Sequence, residues 1–104
     1  MGTSQREADA AVDQLLLKIA REHPLQSLTP KELQLDVLPV TIYPRPIPAK
    51  AWVRFEAIPA HVDCVIMRTT STAAGIEFRI RDKTFRCWVW GNAVTPTSDQ
   101  QTTD

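Results

Sequence analysis

The sequence predicts an α+β fold, with an N-terminal amphipathic helix ahead of a small, strongly bent antiparallel β-sheet. Three observations predict it. Apolar residues recur at helical spacing only near the start, in Ala8, Val12, Leu15 and Ile19. From Ala49 onward the pattern switches to alternation, as in "AWVRF", "AAGIEFRI" and "FRCWVW". Between the two regions lies a proline-rich stretch that suits neither a helix nor a central strand. Four or five short strands joined by tight turns match the outline of an SH3-like small barrel in number and spacing.

The helix is expected over Ser4 to Glu22. Ala11 and Leu16 widen its apolar stripe, and Ser4 with Glu7 forms a capping-box pattern. Lys18, Arg21 and His23 suit the negative C-terminal end, and Pro24 lies just past it. "TPKEL" repeats the start signal, with Thr29 as cap, Pro30 at the first helical position and Glu32 three residues beyond the cap. It predicts one or two turns, to about Asp36. Residues 1–36 thus form a helical segment, and residues 37–48 a connector or edge strand carrying Pro39, Pro44, Pro46 and Pro48.

Residues 49–95 form the predicted β region. Strands are expected at about Ala49–Glu56, Val62–Thr69, Ala74–Ile80 and Phe85–Trp90, with a short last strand at Ala93 and Val94 after a turn at Gly91. The second reads as apolar on both faces and so as covered on both sides. A four-residue loop, Arg81 to Thr84, would set Ile80 against Phe85, Phe78 against Cys87 and Ile76 against Val89. On the other face the same register would oppose Arg79 to Arg86 and lay Trp90 over Gly75. Residues 96–104 contain nothing large and apolar to anchor them, so a disordered tail is expected.

Twelve basic and twelve acidic residues cancel over 104 residues, so no global field steers a polyanion. Residues 1–36 carry −2 and residues 45–86 carry +4. No stretch is long and apolar enough to span a membrane, and the start lacks a secretion or myristoylation pattern. A cytoplasmic location with reduced Cys64 and Cys87 is the expectation.

No catalytic motif stands out. His61 and Cys64 have metal-ligand spacing, but residues three apart on a strand face opposite ways, and no fourth ligand is evident beyond Cys87. Three glycines leave no room for a phosphate loop. Neither enzyme activity nor any cofactor or metal is called for. The candidate surface is the face that alternation assigns to Lys50, Trp52, Arg54, Arg79, Arg86, Trp88 and Trp90. Cations interleaved with aromatic rings suit single-stranded nucleic acid, with phosphates on the arginines and bases stacked on the indoles. Opposed Arg79 and Arg86 would sharpen that reading.

The favoured function is therefore a non-enzymatic binding module or accessory regulator that binds nucleic acid through this face. The alternative is a protein–protein interaction or inhibitor module, with the tryptophan face buried by the N-terminal helix or by a partner. An undocked helix would instead offer residues 4–22 for homodimerisation. "YPRPIP", Tyr43 to Pro48, could lie extended in a partner's aromatic groove, although such a stretch is more often a stiff linker feeding a first strand.

Overall fold

The alternating β region folds into one five-stranded antiparallel sheet, described in a computed structural model over residues 2–97. The strands are β1 (Thr41–Phe55), β2 (Ile58–Thr69), β3 (Ala73–Ile80), β4 (Lys83–Trp90) and β5 (Val94–Pro96), in the order β4-β3-β2-β1-β5. Two helices precede them, α1 (Gly2–Glu22) and the single turn α2 (Pro30–Leu33). The fold is a small α+β domain. Strand pairing leaves the sheet open, so the closed barrel expected from the strand count is not formed.

One face of the sheet supplies the core. Val53, Phe55, Ile76, Phe78 and Ile80 are buried there with smaller neighbours, including Cys64 and Cys87. The rings of Phe55, Phe78 and Phe85 meet edge-on and stacked, with centroids 5.1 to 6.5 Å apart. Helix α1 begins two residues before the expected cap, so Ser4 lies inside its first turn. It packs on the core through Leu16, Leu17, Ile19 and Ala20, near its C-terminal end. Val12 and Leu15, expected on the buried stripe, are 53% and 57% exposed. The helix is rotated relative to the expected stripe, so that Leu16 and Leu17 rather than Leu15 meet the core. Helix α2 has both arms of the predicted capping box, Glu32 N–H to Thr29 Oγ1 and Thr29 N–H to Glu32 Oε1.

Between the helices, Pro24 to Leu28 runs extended and ties the two sides of the curled sheet. At the end of β1, Gln26 N–H donates to Arg54 O, and Glu56 N–H, just past the strand, donates to Pro24 O. On β4, Leu28 N–H donates to Trp88 O, and Trp88 N–H to Ser27 Oγ. One extended segment spanning both edges brings them within about two strand spacings, roughly 10 Å.

The connector expected over 37–48 is strand from Thr41 onward. Thr41 and Ile42 pair with Thr69 and Arg68, and pairing resumes at Ile47 with Ile66. Tyr43 to Pro46 bulge out between these points opposite Met67 alone, which accommodates Pro44 and Pro46 without lost ladder bonds. Only β1 residues 49–51 have β5 on their other side, so residues 41–48 are edge strand. Thr95 pairs with Lys50, and Pro96, expected at the start of the disordered tail, pairs with Ala49. The rest of the expected tail lies outside the described residues. Strand β2 is covered on one face only, with Val62, Cys64 and Ile66 buried and Val65 and Met67 half-buried.

The β3–β4 hairpin differs from its expected register by two residues. Its turn is Arg81-Asp82, so Phe78 faces Phe85, Ile76 faces Cys87 and Ala74 faces Val89. A shift of two keeps every side chain on its face, so the apolar match cannot distinguish the registers. A two-residue turn is the shorter solution, with Arg81 in the left-handed region at φ 59°. Gln34, after α2, and Glu56, in the two-residue β1–β2 turn, adopt the same region at 54° and 56°.

The observed register makes a measurable claim. Glu77 faces Arg86 and accepts a hydrogen bond from its Nε at 2.8 Å, while Arg79 faces Thr84. A double-mutant cycle on Glu77 and Arg86 should give a coupling of about 0.2–1 kcal/mol in urea unfolding. The same cycle on Arg79 and Arg86 should give none; a repulsive coupling there would restore the four-residue loop.

Candidate functional site

The outer face of the sheet carries all seven predicted site residues, but it gathers only some of them. Alternation sends Lys50, Trp52 and Arg54 outward from β1, Arg79 from β3, and Arg86, Trp88 and Trp90 from β4. Because the sheet curls and Pro24–Leu28 ties its edges, the outer sides of β1 and β4 become neighbours. Trp52, Arg54, Trp88 and Trp90 then line one open cleft of about 640 Å³ along the seam. Helix α1 packs on the opposite face, so it does not cover the tryptophans as one reading of the sequence expected. Trp52 is 54% and Trp90 43% exposed.

Each indole is held differently. Trp52 stacks on His61, its cross-strand neighbour on β2, with centroids 4.6 Å apart and planes 16° from parallel. That leaves the other ring face available to the cleft. Trp88, not Trp90, lies over Gly75. A Cβ at Gly75 would come within 3.3 Å of the Trp88 ring and 2.9 Å of Arg68 Cγ, so the glycine makes room for both side chains. Trp88 therefore has a structural role as well as a wall of the cleft. Trp90 faces Ala73 and is free on its outer side.

The cations are dispersed and partly neutralised. Lys50 Nζ lies 3.4 Å from Asp63 Oδ1, and Arg86 is bound to Glu77. Arg86 borders a second depression beyond Trp88, with Arg68 and Met67. Arg79 lies nearer α1, in a hollow lined by Asp13 and Asp63. The opposed arginine pair, the sharpest hint of a phosphate site, is replaced by an ion pair. Arg54 is the one Lys or Arg lining the cleft, which it shares with Glu32 from α2 and Glu56 from the β1–β2 turn. Thr29 N–H occupies Glu32 Oε1, and the His23 ring bonds Glu56 Oε1, which leaves each carboxylate a second oxygen. The cleft is aromatic and mildly acidic.

Sequence reasoning missed the wall opposite the indoles. Gln26, Ser27 and Leu28 come from the tying segment, Glu32 from α2, and Asn92 and Ala93 from the single 3-10 turn Gly91–Ala93. Glu32 was visible as a capping residue. Nothing in its local pattern says which way its free oxygen faces.

The metal spacing fails on geometry, since His61 is on the outer face against Trp52 and Cys64 is buried in the core. Among the described residues no three His, Cys, Asp or Glu side chains form a metal-sized cluster, and no helix is long and apolar enough to cross a membrane. Burial pushes the Cys64 thiol up to about 11, with the nearby Asp63 charge adding to it. Cys87 is pushed up to about 12, by burial first and by Cys64 second. Both are unpaired thiols held away from the reactive thiolate form.

Two outcomes follow for the thiols. A thiol reagent at neutral pH should label neither cysteine until denaturant is added. An exposed thiol would ionise near its ordinary value of 9.0, below both folded values. The unfolded chain therefore loses these protons first, and their contribution to stability falls as pH rises above 9 towards 11–12. Urea unfolding between neutral pH and about pH 10 should show that loss, reduced in Cys64→Ala/Cys87→Ala. An unchanged slope in the double variant would contradict the assignment.

Compared with models of known families, with curated proteins and with solved structures, the chain matches none.

Proposed function

We propose that this chain is a non-enzymatic protein-interaction module whose tryptophan cleft takes an extended, proline-containing segment bearing a cationic side chain. The observation that carries the reading is the convergence of three indoles and two carboxylates on one open groove. Proline rings pack on indole faces, and a polyproline segment arrives already extended, with little ordering left to do. A lysine or arginine on it would meet Glu32 and Glu56 as well as the negative face of Trp90. Exposed tryptophan is also the residue type that most often dominates an interface.

The nucleic-acid reading uses the same rings with Arg54. It is the weaker fit because Asp63 and Glu77 already engage Lys50 and Arg86, and the cleft itself holds more negative than positive charge. The strand order, the 3-10 turn before β5 and the return of β5 to β1 support placing the fold near the SH3-like small barrels, with the seam bridged by Pro24–Leu28. That analogy does not choose a ligand. The unpaired thiols suit a reducing compartment such as the cytoplasm.

Titrating a synthetic Pro-x-Pro peptide containing arginine while following tryptophan fluorescence tests the proposal. Saturable binding is expected. Trp90→Ala should weaken it at least about tenfold, and so should replacing the peptide's arginine by glutamate. If the peptide leaves the fluorescence unchanged while a single-stranded oligonucleotide binds with steep salt dependence, the nucleic-acid reading takes its place.

A further inference from the structure

The chain itself carries a segment of the composition that this cleft suits. In the bulge of β1, Pro44, Arg45 and Pro46 are all exposed. Two prolines fix their own φ, and the residues before them are confined to extended backbone, so the bulge is held near polyproline geometry. Its base is anchored by the Tyr43 hydroxyl against Thr69 Oγ1 at 3.1 Å. Binding such a preformed segment costs little conformational entropy. Arg45 makes no ion pair among the described residues.

We infer that the occupant of the tryptophan cleft is the Tyr43–Pro46 bulge of a second copy of this chain. The inference rests on the interaction reading above and names its partner. Charge complementarity supports it: Arg45 is an unpaired cation between two prolines, and the cleft presents Glu32 and Glu56 beside Trp52 and Trp90. The bulge cannot fill the cleft of its own chain. Pro46 and Arg54 are eight residues apart on the same strand, roughly 25 Å. The contact therefore joins separate copies. Each copy offers one bulge and one cleft, so the contact closes as a reciprocal two-fold pair or a larger ring, or propagates into chains.

Sedimentation velocity over a wide concentration range, on the full chain, tests this. The wild type is expected to associate into dimers or larger assemblies as concentration rises. Arg45→Glu/Pro46→Ala damages only the bulge, and Trp90→Ala only the cleft. All three positions are exposed, and circular dichroism checks that both variants fold. Each variant alone should associate at least about tenfold more weakly. Mixed together they retain one intact bulge and one intact cleft, so they should form one-to-one heterodimers and nothing larger. A wild type that stays monomeric, variants that associate like the wild type, or a mixture that stays monomeric each overturns the inference. A parallel titration with the peptide YPRPIP separates the two proposals. If the peptide binds and the chain remains monomeric, the interaction reading stands and self-docking falls; if neither occurs, both fall.

Discussion

The structure depends on the short extended segment Pro24–Leu28. It donates to and accepts from β1 through Gln26 and Pro24, and it joins β4 through Leu28 and Ser27. Without it, Arg54 and Trp88 would present unpaired backbone groups on two separate edges, each a template for another strand. With it, the curled sheet keeps its two outer edges side by side. The same five residues link α1 to α2, so the route of the chain between the helices also positions Glu32 at the seam. Residue pairs such as Ser27 and Trp88 are 61 positions apart, so these bonds repay a long loop closure. The cleft exists only once that closure is complete.

The two faces of the sheet follow different rules. The inner face is made of aliphatic and phenylalanine side chains, and it accounts for nearly all of the buried core. The outer face is organised by pairs across strands: Lys50 with Asp63, Trp52 with His61, Glu77 with Arg86, and Gly75 beneath Trp88. Each pair is worth a fraction of a kcal/mol, but together they fix which charges are spent locally and which remain for a ligand. Trp90 and Arg54 fall outside these pairings.

Sequence reading reached as far as period and alternation carry. The inward set of β1, Ala51, Val53 and Phe55, and the inward set of β4 follow from alternation alone, as does the outward placement of all three tryptophans. The capping box at Thr29 is a local pattern, and it formed as read. What was not legible depended on long-range closure or on quantities blind to parity. A two-residue change of register leaves every side chain on its face, so the partner of Arg86 and the ring over Gly75 could not be fixed from pattern. The docked side of α1 depends on where the helix lies over the sheet, which periodicity does not encode. Neither Gln26 nor Leu28 carries a signal that it bridges two strands.

Three turns place non-glycine residues in left-handed backbone, at Gln34, Glu56 and Arg81, while none of the described glycines adopts it. A side chain there costs on the order of 1–2 kcal/mol relative to glycine. At Arg81 the guanidinium donates to Ala10 O at 3.3 Å, and at Glu56 the carboxylate meets His23 and the cleft, so relief of the backbone would sacrifice a contact. Gln34 is different. Its N–H reaches Pro30 O, and its carbonyl accepts from Val37 and Leu38, all through the main chain. This position holds an untapped reserve of stability, open to redesign for heat tolerance without touching either the seam or the indoles.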